Sequence, residues 1–152
     1  MKIPVSVLVV IYTARREVLL LERADHPGYW QSVTGSLDAL DEPFENAAKR
    51  EVFEETGIDV SALSEVSILS MNRQIDYEIY PQWRHRYPQG VTVNTEHWFK
   101  VELPEIVPVQ LSPREHLNFQ WVSWERAAAL CFSPSNQQAI LEIFSYRKKL
   151  IF

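Results

Sequence analysis

Cysteine is nearly absent, with one residue, Cys131, in 152. A single thiol excludes an internal disulfide, and a reducing, cytoplasmic setting is the expectation. Cys131 stands in an apolar run and reads as buried filler rather than as a nucleophile. Long hydrophobic runs are also missing. The N-terminal MKIPVSVLVVIY is short and β-branched, with no small-residue cleavage site before Arg15 and Arg16, so it reads as a strand and not a signal peptide. No segment has the length of a bilayer span. Positive charge is in deficit: fifteen Lys and Arg against twenty Asp and Glu leave −5, which argues against a nucleic-acid coat. Repeats, linkers and low-complexity tracts are lacking too. These absences describe a soluble protein with neither nucleic acid nor membrane as partner.

What is present is a globular composition, 46% hydrophobic and 12% aromatic, in a chain of one-domain length (residues 1–152). Residues 5–12 form a continuous β-branched run, the mark of a strand buried on both faces. Strands are expected at 17–23, 30–34, 66–71, 75–80, 95–103 and 117–122. Of these, 75–80 alternates Ile-Asp-Tyr-Glu-Ile-Tyr with period two. Ser123 reads as the N-cap of a short helix reaching Leu130, and Ser133-Pro134-Ser135 opens a last helix whose Ala139, Ile140, Ile143 and Phe144 recur at helical spacing. The fold class is therefore mixed α/β. Trp30, Trp98, Trp121 and Trp124 suit core positions.

Glycine is scarce, four in all, yet two of them bracket the segment GSLDALDEPFENAAKREVFEETGI, from Gly35 through Gly57 to Ile58. A helix is expected over 43–56, with Pro43 in the first turn and Gly57-Ile58 as a left-handed cap with an apolar clasp. Asp41 or Glu42 serves as N-cap. Phe44, Ala48 and Val52 form a stripe that docks the helix on a sheet. Residues three and four apart share a helix face, so Glu51, Glu54 and Glu55 crowd together, with Ala47 leaving open space one turn earlier. Three such carboxylates repel unless a cation lies between them, and Mg²⁺ prefers oxygen ligands.

The segment resembles the Nudix box: Glu42 is followed by seven residues and then Arg50-Glu51-Val52-Phe53-Glu54-Glu55-Thr56-Gly57-Ile58. One departure is visible. Six residues rather than five separate Gly35 from Glu42, an insertion that should distort the loop and not the acidic face. The resemblance implies a mixed β-sheet sandwiched between α-helices, and Mg²⁺-dependent hydrolysis of a diphosphate linked to another moiety, with Mn²⁺ as the alternative ion. It also implies Glu54 and Glu55 as metal ligands and Glu51 as ligand or base. The Gly35 carbonyl is a further ligand, Arg50 orients the carboxylates, and Glu42 is its structural partner.

Further blocks are similar to a bacterial subgroup that hydrolyses dihydroneopterin triphosphate in folate synthesis. They are Tyr29-Trp30-Gln31-Ser32-Val33-Thr34-Gly35-Ser36, Arg84-His85-Arg86-Tyr87 with Gly90-Val91 and Asn94-Thr95-Glu96, and Glu115-His116-Leu117 with Trp121. A pterin triphosphate is thus the implied substrate, with a nucleoside triphosphate or dinucleoside polyphosphate next, and a non-catalytic nucleotide-binding module as the reading from another class. Glu115 is the first choice for general base and a further metal ligand, and Glu51 is the alternative base. Phosphate oxygens suit the forked guanidinium, so Arg84, His85 and Arg86 are candidates, with Arg23 and Arg73 behind them. Trp30 and Gln31, just before Gly35, are candidates for the pterin ring.

Overall fold

A computed structural model describes residues 1–149; residues 150–152 of the expected domain lie outside the described residues. In chain order the elements are β1 (Val5–Thr13), β2 (Glu17–Arg23), β3 (Trp30–Gln31), β4 (Val33–Ser36), α1 (Phe44–Thr56), β5 (Ile68–Glu78), β6 (Val93–Leu103), β7 (His116–Ser123), α2 (Trp124–Leu130) and α3 (Pro134–Lys149). All seven strands join one mixed sheet ordered β3-β2-β1-β6-β5, with β4 also paired to β1 and β7 to β2. Only β1 and β6 run parallel, in register from Val5 opposite Thr95 to Thr13 opposite Leu103. The other edge of β1 is shared: β4 takes Ser6 to Val9, and β2 meets it at Tyr12.

Strand alternation sorts the β1 run onto two layers. Val7, Val9 and Ile11 pack with Ala47, Ala48 and Val52 of α1, while Leu8, Val10 and Tyr12 pack with Ala127 and Ala128 of α2 and Ala139, Ile140, Ile143 and Phe144 of α3. Being covered on both faces is why this strand carries no polar alternation. Ala47, expected to leave open space, is instead fully buried in the α1 layer, where its small side chain lets the helix approach the sheet. Phe44 is only partly covered, its ring stacked on His97 at 3.7 Å between centroids.

Three boundaries differ from expectation, each for a local reason. Pro43 is the N-cap of α1 rather than its first residue, and neither Asp41 nor Glu42 caps it with a side-chain bond. The strands expected at 66–71 and 75–80 merge into the single β5, Ile68–Glu78, whose pairing with β6 slips between Ser70 and Gln74 where Asn72 adopts φ 53°. Residues 30–34 instead divide at Ser32. Its N–H donates to Asn136 Oδ1 at 2.7 Å and its hydroxyl accepts from Asn136 Nδ2 at 3.0 Å, so α3 takes the backbone donor that a ladder would otherwise use.

The ends at Gly57 and Ser123 form as expected. Gly57 is left-handed, φ 75°, with its N–H on Phe53 O at 2.9 Å. Ser123 Oγ accepts from Arg126 N at 3.3 Å. Cys131 is half-buried, and desolvation pushes its thiol up to about 12. At pH 8 it therefore stays the unreactive thiol. We expect Ellman's reagent to modify it at least ~10-fold more slowly in the native chain than in urea. Equal rates would show an accessible thiolate.

Candidate active site

The α1 helix turns Glu51 and Glu55 toward the sheet and Glu54 outward. Glu51 and Glu55 are 8% and 1% exposed, whereas the Glu54 side chain is half-exposed. Opposite them lies Gly35 on β4. A Cβ there would fall on the Glu51 carboxyl, so a side chain at this position would push that carboxyl from its place. The extra residue before Glu42 is absorbed in the intervening loop. There Asp38 N donates to Glu42 Oε1 at 2.8 Å, Glu42 N to Ala39 O at 3.1 Å, and Leu40 projects into solvent.

Arg50 ties the loop to the acidic face. Its Nε and Nη2 fork onto Glu42 at 2.9 and 3.0 Å, Nη2 also reaches Ser36 O, and Nη1 donates to Glu51 Oε1 at 2.8 Å and Glu54 Oε2 at 3.3 Å. Hydrogen bonding from this guanidinium holds the Glu42 carboxyl below its usual range. The arrangement positions the carboxylates without reaching Glu55.

Glu55 meets a different group. Donor atoms of Glu55, Glu115 and His116 lie within 4.8 Å of one another, with His116 Nε2 3.5 Å from Glu55 Oε1. Glu115 is brought there by the turn before β7, where Ala24 N donates to its carbonyl at 2.9 Å. Burial raises the Glu51 carboxyl. It raises Glu55 well above the carboxylate range, and the negative charges of Glu51 and Glu115 push the same way. Glu55 Oε2 is buried without a partner. Buried, mutually repelling oxygens with an open acceptor fit a divalent cation, as the resemblance led us to expect. The imidazole of His116 is a poor ligand for a hard ion and better placed to orient Glu55.

Two cavities adjoin along this face. One, of about 940 Å³, is lined by Arg50, Glu51, Glu54, Glu55 and Glu115. The other, of about 570 Å³, is walled by Ile75, Tyr77, Tyr80, Trp83, Trp98 and Phe132. Lys2, Arg23, Gln31, Gly35 and Arg86 line both and so mark the passage between them. Arg23 Nε and Nη2 each donate to Asp25 at 2.7 Å, Nη1 donates to Gln31 Oε1 at 3.0 Å, and the guanidinium lies 4.1 Å from the Trp83 ring centre. Arg86 Nη2 approaches the same Asp25 at 2.9 Å. Arg23 bonding holds the Asp25 carboxyl at about 2, so the pair of arginines keeps an anionic brace across the working pH range.

The expected substrate residues therefore separate. Arg23, Arg86 and Gln31 face both cavities, and Arg73 faces the aromatic one while paired with Glu142 at 2.9 Å. Arg84, His85 and Trp30 line neither. The segment Pro81–Arg86 is a 3₁₀ helix, in which residues three apart share a side. Trp83 and Arg86 turn to the cleft together, while Arg84 donates to Ile79 O at 2.9 Å and His85 stands in solvent. On β3, successive side chains point to opposite faces, so Gln31 entering the cleft sends Trp30 into the layer beneath α2 and α3. Sequence reasoning missed Lys2 and gave His116 no role. His116 had a signal, its place beside Glu115, whereas Lys2 had none.

Residues 2–143 match the NUDIX domain family model. The chain is 47% identical over 140 residues to the dihydroneopterin triphosphate diphosphatase of Escherichia coli K12, covering 91% of each chain. It is 42% identical over 146 residues to the protein of the same name from Haemophilus influenzae, covering 94% of this chain and 89% of that one. The solved structure of the E. coli dihydroneopterin triphosphate pyrophosphohydrolase superposes with a TM-score of 0.87 at 46% identity, over 93% of this chain and 94% of that one.

Proposed function

This chain belongs to the NUDIX domain family, and on that premise we propose that its cleft hydrolyses dihydroneopterin triphosphate to the monophosphate and pyrophosphate, a step of folate biosynthesis. The observation that carries this reading is the two-part cleft: a cavity walled by aromatic rings, sized for a flat bicycle, opens past Arg23 and Arg86 onto the buried carboxylates. The ring system enters the aromatic part, and the triphosphate runs over the two guanidiniums toward α1. Lys2 adds a third positive charge at the passage.

Glu51, Glu54 and Glu55, with the Gly35 carbonyl and Glu115, are the groups to hold Mg²⁺, or Mn²⁺ in its place. When bound, the ion supplies charge neutralisation at the phosphoryl oxygens and a more acidic water. The chain itself supplies the rest. Arg50 keeps Glu51 and Glu54 aimed into the cleft, and the aromatic walls exclude water from the ring. Glu115, exposed at the rim, takes the proton of the attacking water. Glu51 is the weaker candidate for that role because its Oε1 already accepts from Arg50 at 2.8 Å. The cytoplasm, with its reducing chemistry and folate synthesis, is the compartment we assign. No helix among the described residues is long and apolar enough to cross a membrane.

A pyrophosphate-release panel with Mg²⁺ tests the substrate. The pterin triphosphate should show kcat/KM at least ~10-fold above any nucleoside triphosphate or dinucleoside polyphosphate, because the aromatic cavity is shaped for its ring. Higher kcat/KM on a nucleotide would reassign the substrate. No turnover of any of them would favour a binding module.

A further inference from the structure

One polar group in the aromatic cavity is used by nothing described so far. Glu96, on β6 between Ser6 of β1 and Ile75 of β5, is 3% exposed and lines that cavity. Its Oε1 accepts from Trp98 Nε1 at 3.0 Å, and the Ser135 side chain hydrogen-bonds to the carboxyl. No ion pair reaches it among the described residues. A carboxylate has about four acceptor positions, so two remain unused on a group that lines the cavity. A carboxyl buried among aromatic walls with unused acceptor capacity is costly unless a bound group donates to it. Burial accordingly raises its carboxyl.

Resting on the reading above, we infer that Glu96 is the specificity-determining residue for the ring, accepting the paired donors of a 2-amino-4-oxo pyrimidine edge. The 2-amino group and the adjacent ring N–H of a dihydropterin point the same way, at the spacing of the two oxygens of one carboxylate. This is the match by which a carboxylate takes two parallel N–H donors. With that edge on Glu96 and the ring against the aromatic wall of the cavity, the phosphate-bearing end faces the passage at Arg23 and Arg86. An analogue with oxygen in place of the 2-amino group would set an acceptor against an acceptor in a dry site, which such sites reject strongly.

Direct binding separates this inference from the hydrolytic reading, because it requires no turnover. Calorimetric titration of the full chain with 6-hydroxymethylpterin and with 6-hydroxymethyllumazine, its 2-oxo analogue, should give a Kd at least ~10-fold lower for the pterin. In Glu96→Gln, the new amide can donate to the 2-oxo group, so the ratio should collapse to within threefold or invert. A wild-type ratio below threefold overturns the inference whatever the variant does. So does a Glu96→Gln protein that keeps the wild-type ratio, as a merely structural carboxyl would. Should the variant fail to fold, the wild-type ratio decides alone. Absence of pterin triphosphate hydrolysis with the ratio intact would instead remove the hydrolytic reading and leave the recognition standing.

Discussion

Glu55→Gln is expected to lower kcat on the order of 10³-fold while raising the thermal midpoint of the metal-free protein. The two effects have one cause. Glu55 is 1% exposed, one of its oxygens has no partner, and Glu51 and Glu115 lie close by. A carboxyl whose folded pKa lies above its unfolded value keeps its full stability only below the unfolded value, near 4.5. That contribution is lost as pH rises through the folded value. An amide of the same shape escapes the penalty, which we place at about 1–2 kcal/mol, or ~2–8 °C in a domain of this size. Scanning both proteins at pH 7 with and without Mg²⁺ checks the claim. Wild type should gain stability with the ion, ~2.7 kcal/mol at a hundred times its Kd, and the variant should gain little. A variant that is active, or that gains as much from the ion, would remove Glu55 from the metal site.

Gly35→Ala is expected to cost about 10²-fold in kcat with a smaller change in KM. The added methyl occupies the position of the Glu51 carboxyl, which is 8% exposed and held by Arg50 at 2.8 Å. One of the two must move. If the carboxyl swings away, the proposed ligand is displaced by roughly 1 Å, a shift that costs about two orders of magnitude in a positioned site. The arginines and aromatic walls proposed to bind substrate lie on other elements and keep their places. Steady-state kinetics on the pterin triphosphate distinguishes the outcomes: activity within threefold of wild type would mean that the close approach of β4 to α1 has no catalytic purpose.

Periodic, locally determined features of this chain could be read before its structure. The β1 run, the α1 helix with its Gly57 stop, and the Ser123 cap each depend on neighbours a few residues away, and each is found where local rules put it. The acidic face of α1 was legible for the same reason. What was not legible depends on partners distant in sequence. The break at Ser32 is made by Asn136, 104 residues on. The continuity of β5 across Asn72 is imposed by pairing with β6. Glu115 was expected beside Glu55 only through the family resemblance and His116 not at all, because no spacing in either segment reveals that they meet.

The basic loop shows a subtler limit. Arg84, His85 and Arg86 are equivalent as composition, and only the 3₁₀ turn separates Arg86, facing the cleft, from the other two. Trp30 and Gln31 divide in the same way across one strand. In both places the residue types were informative, and the direction of the side chains had to come from the backbone. Glu96 is the converse: the block Asn94-Thr95-Glu96 marked it by resemblance alone, and a role for its carboxylate emerges only with the cavity around it.

The central claim, that this cleft cleaves dihydroneopterin triphosphate between its first and second phosphates, is tested most directly by product analysis after incubation with Mg²⁺ in ¹⁸O-water. The account predicts dihydroneopterin monophosphate and pyrophosphate in equal amounts, with one ¹⁸O atom in one of the two. Dihydroneopterin diphosphate with labelled inorganic phosphate would contradict it.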